Sequence, residues 1–198
     1  DLAGRLALRD NSELLNNSTG SFSKSSNDLF LVINSSKFRN EGSYTHSAGE
    51  ILSSQSGQIL NSGTFSKTGG DLNLEGSSLF DNTGNFTQTS GNTDIGNSIS
   101  ASSNTFNNIG NYNHNGGTTN INNGATLLND FLYTHNDGAL TVRAGGQFTN
   151  GLINTFNGGT VEVSAGGTLN GTGSTSLNGG TLVVNGLMVQ SGVTITGG

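Results

Sequence analysis

The chain has 198 residues, enough for one ordinary domain, yet it carries 32 glycines, no proline, cysteine or tryptophan, and only 10% charged residues. Its apolar content of 30% excludes a thick globular core, because ordinary domains reach roughly 45–50% with glycine included, and the absence of cysteine excludes a disulfide framework. A net charge of −6 with seven scattered basic residues excludes a surface that tracks phosphates, and no apolar run approaches the ~20 residues of a membrane span.

Residues 1–20 contain no secretory leader, so export requires one that is removed or lies outside this segment. The first apolar group, Gly4-Arg5-Leu6-Ala7-Leu8, is followed 24 residues later by Asp28-Leu29-Phe30-Leu31-Val32. From there a strict period takes over. Glycine recurs at Gly49, Gly70, Gly91, Gly117, Gly138, Gly159 and Gly180, every step being 21 residues except one of 26.

Other columns keep the same register. Phe38, Ile59, Phe80, Phe106, Leu127, Phe148 and Leu169 form one; two residues further on stand Asn40, Asn61, Asn82, Asn108, Asn129 and Asn150, with Gly171 breaking the series. An aromatic column follows at Tyr44, Phe65, Phe86, Tyr112 and Tyr133, and then slips, Ile153 and Phe156 straddling Asn154. After each anchor glycine come apolar pairs such as Leu72 with Leu74, Leu140 with Val142 and Val161 with Val163. Leu187, Val189, Val193 and Ile195 start a last turn. The extra residues of the long step fall around Asn97–Ser103 and are expected to bulge from one corner without disturbing the stack.

Apolar and polar residues alternate within each unit, as in Gly-Thr-Val-Glu-Val at 159–163, and no apolar series follows helical spacing. The fold class is therefore all-β. A unit of 21 residues accommodates three short strands with tight Gly/Asn bends. Stacked in parallel at about 4.8 Å, nine such units span roughly 40 Å. The expected architecture is a right-handed parallel β-helix (β-solenoid) of about nine turns, a single domain over 1–198. Neither the leucine-rich spacing nor tandem calcium-binding nonapeptides occur. Equivalent residues then lie above one another, so the asparagine column is expected to form an amide ladder.

The unit Phe-x-Asn-x-Gly-x-(Phe/Tyr)-x4-Gly-x-(Leu/Thr)-x-(Leu/Ile), as in Phe80–Ile95 and Phe106–Ile121, resembles the β-helical shafts of large bacterial exoproteins, the filamentous-haemagglutinin-like adhesins and autotransporter passengers. The resemblance implies a secreted protein at the bacterial cell surface acting in attachment, filament formation or biofilm. Its partners would be a host surface or polysaccharide, and no cofactor is implied. The repeats begin and end within turns, which is expected of a piece of a longer shaft or of a subunit that polymerises end to end.

Parallel β-helices also host carbohydrate-active enzymes and phage tail-spikes, which is the alternative reading. Glycoside cleavage requires convergent carboxylates; Asp71 and Asp94 come nearest, one turn apart but two residues out of phase, and no enzyme is expected. His46, His114 and His135 share one phase with Lys67 and Gln88 between them. Two stacked imidazoles do not complete a metal site, and this column is expected to be polar surface. The aromatic column Tyr44, Phe65, Phe86, Tyr112 and Tyr133 fits core packing best; the competing reading is a glycan-stacking row. Its neighbours Thr45, Ser66, Thr87, Asn113 and Thr134 are too irregular for an ice-binding array.

Overall fold

In the computed structural model, which describes residues 4–97 and 101–197, three short strands make a turn, mostly of four residues each, and in later turns two of them run together, as in Asn111–Ile121 and Leu132–Val142. Lys37–Asn40, Ser43–His46 and Glu50–Ser53 are one such set, and Gln58–Asn61, Thr64–Lys67 and Asp71–Leu74 the next. Each strand pairs in parallel with its equivalent one turn away, with Phe38 opposite Ile59, Tyr44 opposite Phe65 and Ile51 opposite Leu72. The result is a parallel β-solenoid of about nine turns at ~21-residue spacing, with no helix among the described residues.

The interior is narrow and almost entirely side chain. Along each strand two residues face in and two face out, as the two-residue pleat dictates. The first strand of a turn contributes Phe38 and Asn40, the second Tyr44 and His46, the third Ile51 and Ser53, all of them fully buried. Rings from successive turns touch without a gap: Tyr44 to Phe65 at 4.7 Å, Phe86 to Tyr112 at 4.7 Å and Tyr112 to Tyr133 at 4.9 Å between centroids. Phe80 and Phe106 stack nearly parallel at 4.4 Å. Each such side chain contributes roughly 1.5–3 kcal/mol by leaving water, which is how a sparse apolar minority holds the stack.

The corners explain the glycine period. The seven anchor glycines all have φ between +61° and +84°, the left-handed region that side chains resist. A Cβ on Gly70 would also stand 2.5 Å from the Gly49 carbonyl oxygen of the turn before. Glycine is demanded twice at this corner, by backbone conformation and by close approach. The corner between the third strand and the next first strand is less strict: it uses left-handed Asn34-Ser35 and Gln55-Ser56 early in the chain and Gly124, Gly145 and Gly166 later.

The long step leaves the stack intact, since Phe80 pairs with Phe106 and Phe86 with Tyr112 across it. Of the extra segment, residues 98–100 lie outside the described residues. Asn104 at its end is buried and its Oδ1 accepts the Ser78 backbone N–H at 2.9 Å.

One expectation is corrected, and the last turn, which does begin at Leu187, adds a detail. The aromatic column does not slip at Asn154: Tyr133 pairs with Asn154 and His135 with Phe156. Asn154 and Phe156 are both buried and Ile153 is 42% exposed, so the ring has moved to the next inward column while the register holds. In the last turn Met188, not Leu187 or Val189, stands opposite the inward Leu169. Leu187 and Val189 face outward, and Val193 and Ile195, opposite Thr175 and Leu177, are exposed as well.

Candidate functional site

Two inward polar columns line neighbouring corners of the solenoid. The first is the asparagine ladder, which starts one turn earlier than its period indicates, at Asn16. From Asn16 through Asn40, Asn61, Asn82, Asn108 and Asn129 to Asn150, each Nδ2 donates to the next Oδ1 at 2.6–3.1 Å. The same Nδ2 donates to a backbone carbonyl of the following turn, for example Asn40 to Thr64 at 2.9 Å and Asn108 to Leu132 at 2.9 Å. Gly171 ends the series, and Gln190 reaches into the vacant place, its Oε1 accepting from Asn150 Nδ2 at 3.1 Å. Buried amides are costly unless paired, and each of the seven ladder asparagines is paired.

The second column is Lys24, His46, Lys67, Gln88, His114 and His135, and all six are fully buried. The expectation of a polar surface column is overturned, and the pleat gives the reason. His46 lies two residues beyond Tyr44, so the two must share a face; a buried aromatic column carries its neighbour inside with it. By the same burial, the rings of Tyr44, Phe65, Phe86, Tyr112 and Tyr133 have no exposed area; they pack the core, the reading that fitted best, and the competing glycan-stacking row on these residues is excluded.

This second column is heterogeneous. Gln88 is well placed, with Nε2 donating to the Gly91 and Thr118 carbonyls at 3.1 and 3.0 Å and Oε1 accepting from Thr93 at 2.8 Å. Lys67 Nζ donates to the Ser90 carbonyl at 2.9 Å, and Lys24 Nζ to Ser26. Burial pulls the Lys67 ammonium down to about 8, against the opposing pull of Asp71 and Asp94. His114 Nδ1 and His135 Nδ1 stand 2.6 Å apart, while both nitrogens of His46 and the Nε2 atoms of His114 and His135 have no partner. Burial first, and then the positive neighbours Lys67 and Lys24, hold His46 near 4.

On the outside, carboxylates and amides alternate from turn to turn. Asn73 donates to Glu50 at 2.7 Å, Asn107 to Asp81 at 2.8 Å and Asn120 to Asp94 at 2.8 Å. An exposed amide ladder links Asn115, Asn136, Asn157 and Asn178 at 2.7–2.9 Å. Asp71 and Asp94 do not converge: Asp71 accepts the Asn92 N–H at 3.3 Å, and Asp94 belongs to a different arrangement.

That arrangement is an open groove of about 270 Å³ beside the long corner, lined by Glu75, Asp94, Asn120, Asn122 and Arg143 among others. Arg143 Nη2 donates to Asn120 Oδ1 at 3.2 Å. The groove gathers two acids and one base, and Glu75 and Arg143 were not singled out in the sequence. Their shared phase was available, since 75, 96, 122 and 143 follow the same 21-, 26- and 21-residue steps as the anchor glycines. No aromatic side chain lines the groove. Among the described residues no group of three metal-ligating side chains occurs, and no helix is long and apolar enough to cross a membrane.

No protein-family model matches the chain, and no curated protein or solved structure matches it either.

Proposed function

We propose that the chain is an extracellular structural β-solenoid, a stiff surface shaft that serves attachment or a filamentous matrix in the manner of the exoprotein shafts it resembles. The observation that supports this most is the unbroken inner asparagine ladder, which spans Asn16 to Asn150 and ties seven consecutive turns together. Stiffness of this kind costs little apolar surface and no disulfide, which suits a chain that must be long and exposed. Parallel edges accept further strands, so end-to-end association of copies belongs to the same reading.

The test is electron microscopy of the purified chain over a range of concentrations, together with attachment of chain-coated beads to cells and polysaccharide films. Uniform rods and adhering beads are expected. Discrete grooved particles whose beads fail to attach would overturn the shaft.

One observation favours a second reading, a carbohydrate-binding or carbohydrate-cleaving module: the groove that brings Glu75, Asp94 and Arg143 together. Glycan-array binding and reducing-end release, lost in Glu75→Gln and Asp94→Asn, would establish it. Silence in both assays removes it.

A further inference from the structure

Among the described residues the interior of this solenoid contains three histidines and two lysines, and none of the buried ones is an acid. The pair His114–His135 is the place in the column where two of its members bond each other directly. Its two Nδ1 atoms are 2.6 Å apart and the rings stack at 4.5 Å between centroids. At that distance one nitrogen donates and the other accepts, so one ring must present a bare nitrogen. A second proton on the facing nitrogens would set two donors against each other with no room for water.

The groups around the pair offer a second positive charge little relief, and burial outweighs what they offer. Gln88 lies opposite His114 on one side and Phe156 opposite His135 on the other. The Tyr133 hydroxyl is 3.4 Å from His135 Nδ1, and the Tyr112 hydroxyl is engaged with Thr119 at 2.9 Å. Lys67 acts on His114 as a like charge, and Lys67 and Lys24 act on His46 in the same way. The Gly138 backbone and the Asp137 carboxylate, both on the strand of His135, favour its charged form and do not act on His114; Asp71 and Asp94 act on Lys67, and Asp28 on Lys24. Burial above all holds His114 near 3 and His135 near 4.

The second corner of the turn follows directly after the pair. Asn111–Ile121 and Leu132–Val142 pair in register up to His114 and His135, and the register then shifts at Asn115 and again before Thr118. Here, as at the equivalent corner of the other turns, the chain bends at a left-handed glycine, Gly117 and Gly138, three residues after each histidine, so the pair stands at the end of the regular pairing.

We propose that the His114–His135 pair is an acid-sensitive latch, closed while it carries at most one shared proton and released by protonation in mildly acidic surroundings, so that the second corner of these two turns opens. The sign follows from linkage: histidines kept from protonation in the closed form contribute stability that is complete above about pH 6.5 and is lost as the pH falls below it. At pH 5 a single excluded proton raises the opening constant about 30-fold.

The test is hydrogen exchange of the full chain at pH 7.5 and 5.0, corrected for intrinsic rates, with 111–142 compared with the control strands Gln58–Asn61 and Leu79–Asn82. Protection over 111–142 is expected to fall at least about 30-fold more than in the controls. The double variant His114→Gln/His135→Gln, which places the Gln88 side chain type in both slots, is expected to lose that excess. Unchanged protection, an equal loss in the controls, or the same excess in the variant overturns the latch. Imidazole ¹⁵N shifts of the unmodified chain give a readout that does not depend on the variant folding. Both rings are expected to remain neutral at pH 5.5 in the closed form, and titration near pH 6.5 with protection retained overturns the proposal.

Discussion

The first and second corners of a turn each follow a strand that sends two side chains inward, but they solve the problem of buried polarity in opposite ways. At the first corner one residue type repeats, and asparagine suits it because it both donates and accepts. Each amide satisfies the one before it and a backbone carbonyl ahead. At the second corner Lys24, His46, Lys67, Gln88, His114 and His135 follow one another. Only Gln88 matches the asparagines in partners; the lysines can only donate, and the histidines leave ring nitrogens unpaired. A uniform ladder is a stiffening device, whereas a mixed column holds its groups under tension and makes stability depend on pH.

The largest effect should come from breaking the uniform column. Asn82→Leu keeps the branched shape in a larger side chain, takes the acceptor from Asn61 Nδ2, which keeps the Asn85 carbonyl, and takes the donor from Asn108 Oδ1 and the Asn111 carbonyl. Each buried group left unpaired costs about 1–3 kcal/mol, so a loss of about 3–5 kcal/mol is expected in denaturant unfolding. A loss below about 1 kcal/mol would mean the ladder is decoration on the backbone stack.

Next is the close approach at the second corner. Gly70→Ala sets a Cβ 2.5 Å from both the Gly49 carbonyl oxygen and His46 Nε2, at a φ of +61°. About 2–3 kcal/mol of destabilisation is expected from strain and displacement together, read as a lower thermal midpoint. A neutral result would show that this corner gives way easily.

The third prediction has the opposite sign. Lys67→Met removes a buried ammonium and is expected to stabilise by about 1–2 kcal/mol at pH 7, with the unpaired Ser90 carbonyl taking back part of the gain. Because the folded-state value is lowered to about 8, the parent chain should gain stability as the pH rises from about 8 towards 9.5, by about 1 kcal/mol per unit. The variant should be flat there. A parent that is already flat contradicts a desolvated ammonium at this position.

The smallest effect belongs to the third corner, where Ser56 holds a φ of +63° without being glycine. Ser56→Gly relieves that conformation but loosens the unfolded chain, so a net gain of about 0.5 kcal/mol is expected. A loss larger than that would mean the serine side chain anchors the corner.

Most of the fold was legible in the sequence, because in a solenoid each residue meets its counterpart at one fixed offset. The 21- and 26-residue steps read from the glycines are the steps at which Phe38 meets Ile59 and Phe80 meets Phe106. The burial of the histidines was legible too, through the shared face of Tyr44 and His46, but their polarity argued for the surface and obscured it. The groove was half legible: Glu75 and Arg143 share a phase, yet their meeting with Asp94 depends on side chains leaning across turns.

The sequence by itself determined the period, the strands, the asparagine column and the corners that require glycine, since all of these repeat and a repeating position meets its own kind on the turns above and below. Only the tertiary structure decided that Phe156 takes the histidine slot while Asn154 takes the ring slot, that Gln190 reaches to Asn150, and that two imidazoles share one contact at 2.6 Å. These are exceptions to the repeat, and an exception is settled by the volume and hydrogen-bonding capacity left by its immediate neighbours, which no period records.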